Sequence, residues 1–162
     1  MGINENKGKP TIASLPDLLK QWHPTLNDTV KPENVTSGSG QKRWWICEKG
    51  HSYQDSPSHK KAGRGCPICS NKQIVAGIND LESLQPKLAS QWHPSRNGDL
   101  LPSGISPGSN RKAWWLCEKG HEWESVIASR LRSSGCPVCS NKTLVRGQND
   151  LATTNSLLAS QW

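Results

Sequence analysis

Residues Trp44 to His51 have the sequence WWICEKGH, which returns almost unchanged as WWLCEKGH from Trp114 to His121. After a loop of 14 residues, each stretch is followed by a Cys-Pro-x-Cys turn. Two short chelating turns joined by a longer loop supply the four thiolate and imidazole ligands that tetrahedral zinc prefers. The sequence therefore predicts two zinc ions, one held by Cys47, His51, Cys66 and Cys69 and the other by Cys117, His121, Cys136 and Cys139.

The six cysteines have a competing interpretation as three disulfides. The first ten residues are polar, however, and lack the apolar run of a signal peptide. We therefore expect a reducing, cytoplasmic location, where Cys-x-x-Cys pairs bind metal more often than they form disulfides. A disulfide scheme would also leave His51 and His121 unexplained at equivalent positions. An iron site suits a Cys3His set with this spacing less well than zinc does.

The predicted zinc is structural, because all four of its positions are filled by protein ligands. A hydrolytic zinc site needs an open coordination position and a nearby general base. Glu48 and Glu118 lie next to ligating cysteines, but the Glu-Lys-Gly sequence is typical of an exposed knuckle tip. The His-x-Glu of zinc deaminases is absent at His51 and at His121, and neither paired carboxylates nor a phosphate-cradling glycine loop recurs in both copies. We expect no enzyme activity.

The whole chain follows the same repeat. Trp22, Trp92 and Trp162 are spaced 70 residues apart, and residues 11–80 align with 81–150 without a gap, with 29 identical positions. Residues 1–10 are interpreted as a flexible N-terminal segment, 11–80 and 81–150 as two zinc modules, and 151–162 as the start of a third, truncated repeat. A hydrophobic share of 33% and the absence of Phe predict thin cores that need a metal.

Each module is predicted to be a small, zinc-stabilised α+β unit of the zinc-ribbon or treble-clef kind, with a β-hairpin, zinc knuckles and a short helix. Leucines spaced for one helix face, such as Leu15, Leu18 and Leu19, predict an opening two-turn amphipathic helix that is closed by His-Pro. The Trp-Trp stretch and a segment such as 122–130 predict the two strands. Because neighbouring strand side chains point to opposite faces, we expect at least one Trp of each pair in the core, together with Trp22, Trp92 and Trp162.

Four motifs follow one another in this chain: Trp-His-Pro, Trp-Trp-x-Cys-x-x-Gly-His, Cys-Pro-x-Cys and Gly-x-Asn-Asp-Leu. In this combination the chain, from about residue 11 to its end, resembles the bacterial probable zinc-ribbon or treble-clef zinc finger repeat family. The resemblance implies zinc at the eight positions named above. It also implies a function that involves nucleic acids, since members of the family form tandem arrays that are sometimes fused to nuclease-like or other DNA-processing domains. The chain stops inside its third copy, which leaves open that it is a fragment, the targeting part of a longer protein.

The net charge of +7 favours an acidic partner. Basic residues recur around the motifs, and a stripe of them on one face would suit a polyanionic backbone. Our leading interpretation is a non-catalytic module that binds nucleic acid, with double-stranded DNA favoured over RNA, through phosphate contacts. The candidate residues are Lys42, Arg43, Lys49, Lys60, Lys61, Arg64, Lys72, Arg111, Lys112, Lys119, Arg130, Arg132 and Lys142.

Two further interpretations of the surface stay open at this point. Tandem zinc units with exposed aromatic side chains also suit a protein-interaction or architectural array, which is our alternative function. The candidate basic residues are interleaved with acidic ones, so an ordinary solvated surface explains part of the pattern. No stretch approaches the length that a membrane span needs, and we expect no membrane partner.

Overall fold

The computed structural model describes residues 8–132 and 135–162. The chain divides into two compact units, Met1–Gln73 and Ile74–Trp162, and each unit holds one Trp-Trp hairpin with one set of Cys and His ligands. Most of the predicted flexible segment 1–10 lies outside the described residues. The limits of the two zinc modules at residues 11–80 and 81–150, and of the third repeat at 151–162, stay a prediction.

The hairpin of the first unit pairs β1 (Arg43–Ile46) with β2 (Ser52–Asp55) in antiparallel register. Trp45 lies opposite Tyr53, and both side chains are fully buried. Trp44 lies opposite Gln54 on the other face and is only partly buried. The alternation of strand side chains thus puts one tryptophan of the pair into the core, as predicted.

The second unit repeats this hairpin with β3 (Lys112–Leu116) and β4 (Glu122–Val126). The predicted strand over 122–130 is too long, because the chain turns into a helix at Ile127. That helix buries Ile127 and Arg130 against the hairpin, and an extended chain cannot place both on one side. The helices that follow the two hairpins are Pro57–Lys61 (α2) and Ile127–Leu131 (α5).

The opening segment of each module forms single helical turns, so the predicted two-turn amphipathic helix is wrong. In the first unit a 3-10 turn at Ile12–Ser14 precedes α1 (Pro16–Leu19). Ile12 is buried and Leu19 is exposed, because the chain changes direction between the two turns. The other elements are α3 (Leu81–Leu84), α4 (Pro86–Ala89), α6 (Leu151–Thr154), α7 (Ser156–Ala159) and 3-10 turns at Pro32–Asn34 and Pro102–Gly104. None of the described helices has the length and apolarity that crossing a bilayer requires.

The tryptophan that ends each opening segment packs on the buried tryptophan of its hairpin. The rings of Trp22 and Trp45 meet edge to face with centroids 5.5 Å apart, and those of Trp92 and Trp115 do so at 5.2 Å. Both contacts join residues 23 positions apart in the chain. Trp162 is fully exposed, so its predicted core role is wrong, since this sequence holds no residue 23 positions beyond it.

Candidate metal centres

The first knuckle of each site is the turn of the hairpin. The N–H of Gly50 donates to the carbonyl of Cys47 at 2.8 Å, and the N–H of Cys47 donates to the carbonyl of His51 at 3.1 Å. Gly50 has a φ of 80°, a left-handed conformation that a residue with a Cβ rarely adopts. Gly120 has the same left-handed conformation in the second site, with a φ of 79°. This tight turn brings the cysteine and histidine side chains to one side of the hairpin.

The second knuckle is the Cys-Pro-x-Cys turn. The N–H of Ser70 donates to the carbonyl of Cys66 at 3.2 Å, and the N–H of Lys72 donates to the carbonyl of Pro67 at 2.8 Å. Asn71 closes the turn with a φ of 54°, which asparagine tolerates better than most residues. These backbone bonds fix the turn and so direct both of its cysteine sulfurs toward the hairpin.

The two knuckles bring the four predicted ligands of the first site together. The Cys47 and Cys69 sulfurs are 3.8 Å apart, and His51 Nδ1 is 3.2 Å from the Cys69 sulfur and 3.8 Å from the Cys66 sulfur. A tetrahedral zinc with ordinary bond lengths separates two sulfurs by about 3.8 Å and a sulfur from a nitrogen by about 3.6 Å. The observed separations lie within about 0.4 Å of these values, so the residues fit a zinc ion with only small side-chain adjustments.

The second site has the same geometry. The sulfurs of Cys117 and Cys139 are 3.9 Å apart, and His121 Nδ1 lies 3.5 Å from the Cys117 sulfur, 3.5 Å from the Cys136 sulfur and 3.2 Å from the Cys139 sulfur. All six cysteines of the chain are free. A disulfide needs sulfurs about 2.05 Å apart. The structure therefore supports two Cys3His sites, each suited to one zinc ion, and contradicts the alternative of three disulfides.

The electrostatics of each site favour a cation. Desolvation and the neighbouring thiols of Cys66 and Cys47 raise the pKa of Cys69 to about 11, and those of Cys136 and Cys117 do the same for Cys139. Desolvation also acts on Cys47, but hydrogen bonds from the backbone N–H groups of His51 and Lys49 outweigh it and lower the pKa of that thiol. Three thiolates this close repel one another, and a divalent ion relieves the repulsion while it deprotonates them.

Two of the predicted nucleic-acid contacts lie inside the fold. Lys60 is only 5% exposed, and its ammonium donates to Tyr53 Oη at 2.8 Å and to Gln21 Oε1 at 2.7 Å. Its counterpart Arg130 is 8% exposed and donates to the side-chain oxygen of Gln91. The expectation that these two cations reach a phosphate at the surface is wrong, because their aliphatic stems and charges cover the hairpin core.

The other candidate cations lie at or near the surface. Lys112 is exposed but forms an ion pair with Glu124, with Nζ and Oε2 3.1 Å apart. Arg43 is half-buried and donates to Gln41 Oε1 at 2.6 Å. The remaining nine are exposed: Lys42, Lys49, Lys61, Arg64, Lys72, Arg111, Lys119, Arg132 and Lys142. A single stripe of cations running across both modules stays a prediction.

A repeated Asn, which the sequence reasoning did not single out, joins the turn after the opening segment to the hairpin. The Asn27 side-chain amide donates to the carbonyl of Trp44 at 3.0 Å, and its oxygen accepts from the N–H of Trp44 at 2.9 Å. The side chain thus forms the same pair of hydrogen bonds that the backbone of a neighbouring strand would form. Asn97 does the same with Trp114, at 3.0 and 2.8 Å. The identity of the two residues in both repeats was the signal that could have revealed them.

The repeated histidines cap the turn that follows the opening segment and do not belong to the two ligand sets. His23 Nδ1 accepts from the N–H groups of Thr25 and Leu26 at 3.3 and 3.2 Å. His93 repeats this turn, and its Nε2 lies 3.1 Å from Glu122. That hydrogen bond, with the charge of nearby Arg96, lowers the pKa of Glu122.

The sequence reasoning also did not identify a cluster of charged side chains in the first unit. Asp55 is buried, and its carboxylate lies 2.9 Å from His59 Nδ1 and 3.6 Å from Arg64. The signal in the sequence was that Asp55, His59 and Arg64 have serine counterparts in the second repeat, at Ser125, Ser129 and Ser134. Three charged or polar residues that contact one another and all have serine counterparts indicate a property of one module.

The fold and the ligand sets define the class of protein: two small α+β modules of treble-clef type, each organised around a Cys3His metal site. The model of the family described as "probable treble clef zinc finger domain" matches residues 18–72 and 88–142. The chain belongs to this family. The two matched segments contain all eight ligands, so the family model supports zinc as the metal at both sites.

A comparison with curated proteins finds a viral relative. The chain is 29% identical to an uncharacterized protein of Acanthamoeba polyphaga mimivirus over 164 aligned positions. The alignment covers 93% of this chain and 39% of the viral protein, so the chain spans well under half the length of that relative.

Proposed function

We propose that this chain is a zinc-finger module that binds nucleic acid, with double-stranded DNA favoured, through contacts to phosphates. The observation that carries the proposal is a repeated set of exposed lysines around both metal centres. Lys49 and Lys119 occupy the tips of the first knuckles, and Lys72 and Lys142 follow the second knuckles. In the part of the chain that the structure describes, no carboxylate lies within 4.0 Å of any of the four ammonium groups.

The charge balance supports this proposal after metal loading as well. Six thiolates and two zinc ions together change the formal charge of +7 to about +5. A protein that neutralises phosphates with Lys and Arg releases counterions from DNA, so its affinity falls steeply with salt. The proposal thus requires a binding constant for duplex DNA that depends strongly on ionic strength.

Replacing both tip lysines, Lys49→Gln with Lys119→Gln, tests this requirement. We expect weaker binding to a short duplex, and a slope of log K against log salt that is shallower by about 0.9 for each phosphate that the variant no longer neutralises. The matched control is Lys31→Gln with Lys87→Gln, which removes the same charge from exposed positions outside the candidate set. Equal effects of the two pairs would exclude the tips as contacts. Absence of salt-sensitive binding by the unmodified protein would contradict the function itself.

The proposed zinc is structural and the proposed module is not an enzyme. Each site supplies four protein ligands, and a catalytic zinc keeps one position open for water or substrate. An activity that disappears when one acidic residue that does not bind metal is replaced, with zinc content and fold unchanged, would contradict this part of the proposal.

The alternative of a protein-docking array is supported by the outer faces of the hairpins. Trp44 and Trp114 are only partly buried there, and the Arg96 guanidinium lies over the Trp114 ring at 4.2 Å. Partly exposed tryptophan and arginine side chains are enriched at protein interfaces. A protein partner that stays bound after nuclease treatment, with no nucleic-acid binding by the purified chain, would favour this alternative.

The role of the module in a larger assembly is also a proposal. The viral relative is more than twice as long as the aligned region, so similar modules occur within longer chains. A pair of zinc modules that holds DNA would serve such a chain as its targeting part, and the chemistry would come from another domain.

A further inference from the structure

The first unit contains a cleft of about 670 Å³ whose lining includes the buried Asp55 and residues of the second knuckle but none of the metal ligands. Its lining also includes four residues with basic side chains: Lys42, His59, Arg64 and Lys72. Gly63 also lines it, and no atom lies within 4 Å of the place where a Cβ would be. A ligand can therefore approach the backbone closely at this wall.

A buried carboxylate holds two of these donors in place. Asp55 is 6% exposed, and its Oδ1 accepts from the N–H of Ser56 at 2.8 Å. The same oxygen lies 2.9 Å from His59 Nδ1 and 3.6 Å from an Arg64 guanidinium nitrogen. Because Nδ1 is engaged by Asp55, the imidazole has Nε2 left to donate to a ligand. Asp55 is a positioning residue for His59 and Arg64.

The second module has the same fold but lacks this arrangement. Serines stand in its sequence at the positions equivalent to Asp55, His59 and Arg64. Glu124 replaces Gln54 and forms an ion pair with Lys112, the counterpart of Lys42. Among the described residues, no carboxylate lies within 4.0 Å of the Lys42 ammonium. The Lys42 ammonium is thus available to a ligand in the first module, whereas the equivalent Lys112 is paired with a carboxylate.

We propose that this cleft is an anion site of the first module that takes a phosphate group of a nucleic-acid strand, with Arg64, His59, Lys42 and Lys72 as its donors. The proposal rests on the proposed function and deepens it, because it makes the two modules unequal. The planar guanidinium fork matches two phosphate oxygens, and the ammonium groups add charge without directional demands. Several cations around one cleft attract a phosphate oxyanion more strongly than a single surface cation does.

The test exchanges a residue of the first module for its counterpart in the second. In the zinc-loaded full chain, Arg64→Ser should weaken binding of a double-stranded DNA 12-mer by about ten-fold, since the variant cannot form a hydrogen bond to a charged group. Adding Gln54→Glu should weaken it further, because the new carboxylate pairs with Lys42 as Glu124 does with Lys112. The second module carries Ser and Glu at these positions within the same fold, so we expect zinc content and near-UV circular dichroism to stay unchanged.

The matched control is Arg111→Ser, which removes an exposed arginine from the second module. We expect it to weaken binding by about two-fold or less, the effect of one charge without a converging site. Equal losses for Arg64→Ser and Arg111→Ser would overturn the cleft while leaving general phosphate binding intact. Two forms of the 12-mer, with a 5′-phosphate and with a 5′-hydroxyl, separate a terminal phosphate from an internal one. A preference for the 5′-phosphate that Arg64→Ser abolishes identifies the terminal group, and equal ten-fold losses for both identify an internal one.

Inorganic phosphate separates failure of the cleft from failure of the proposed function. Titrated into the full chain, it should shift the NMR signals of the His59 ring and the Arg64 side chain and leave those of Arg111 unchanged. Such shifts without any nucleic-acid binding would support the cleft and contradict the proposed function. The absence of shifts at millimolar phosphate, together with equal losses in the two arginine variants, would overturn the cleft.

Discussion

The ammonium group of Lys60 lies inside the first module, 5.6 Å from the centre of the Trp45 ring and within hydrogen-bond distance of Tyr53 and Gln21. Burial lowers the pKa of this lysine, and the charge of Asp55 opposes that effect. Its ammonium also donates to the carbonyl of Arg64, so Lys60→Ala removes the partner of three polar groups, and we expect the free energy of unfolding to fall by about 1–3 kcal/mol. Urea denaturation at a fixed concentration of free zinc measures the change.

The adjacent lysine, Lys61, provides the control for the Lys60→Ala variant. Lys61 is exposed, and Lys61→Ala should leave the free energy of unfolding within experimental error. Lys60→Ala should in turn leave the salt dependence of DNA binding unchanged, since a buried ammonium makes no phosphate contact. A shallower salt slope in Lys60→Ala, with the fold intact, would restore this lysine as a nucleic-acid contact.

At the scale of elements, equivalent helical turns begin the second and third repeats. Asp80 caps α3 by accepting from the N–H of Ser83 at 2.8 Å, and Asp150 caps α6 by accepting from that of Thr153 at 2.9 Å. Leu81 after the first cap is fully buried, whereas Leu151 after the second is 43% exposed. The N–H of Leu81 donates to the carbonyl of Ile105 at 2.7 Å, which ties its turn to the rest of the module.

This difference predicts unequal effects of the same substitution. Leu81→Ala should lower the free energy of unfolding of the second unit by about 2–5 kcal/mol, because it leaves a cavity among Trp115, Ile105 and their neighbours. Leu151→Ala should have a much smaller effect, since its side chain is already in contact with water. Tryptophan fluorescence during urea titration of both variants measures the two changes. Similar losses would show that residues 151–162 are packed as tightly as 81–92.

At the scale of the molecule, each unit is organised by its own metal site. A structural zinc contributes on the order of 10–16 kcal/mol in isolated finger peptides, which exceeds what a thin core supplies. We expect two zinc ions per chain by elemental analysis, and a chelator should abolish the near-UV circular dichroism of the tryptophans. A retained signal after verified removal of zinc would refute the structural role of the metal.

Single-site variants separate the two units. Cys69→Ser should remove one ion and the near-UV signal of Trp22, Trp44 and Trp45, and leave the signal of the second unit in place. Cys139→Ser is the matched variant with the opposite result. Loss of both ions in either variant would show that the units fold as one. Acidification should release both ions, because protons compete with zinc for the thiolates and imidazoles.

The ligands and the hairpins could be predicted from the sequence because both depend on short-range spacing. A Cys and a His four positions apart, with Gly50 before the histidine, fix one knuckle whatever surrounds it. The repeat made the prediction stronger, since the same spacing recurs 70 residues later. Alternation predicts only that Trp44 and Trp45 lie on opposite faces of the strand. The observed register was needed to show that Trp45 is the one in the core.

The roles of the cations were decided by the tertiary structure. Lys60 and Lys61 are neighbours in sequence with the same chemistry, and only the packing of α2 against the hairpin buries the first and exposes the second. Asp55 ends β2, His59 lies in α2 and Arg64 follows α2, and these three residues become one cluster only when the chain turns into the helix directly after the strand. The sequence by itself determined where each metal is held, because chelation depends on local spacing. Contacts between separate elements decided which charges reach solvent.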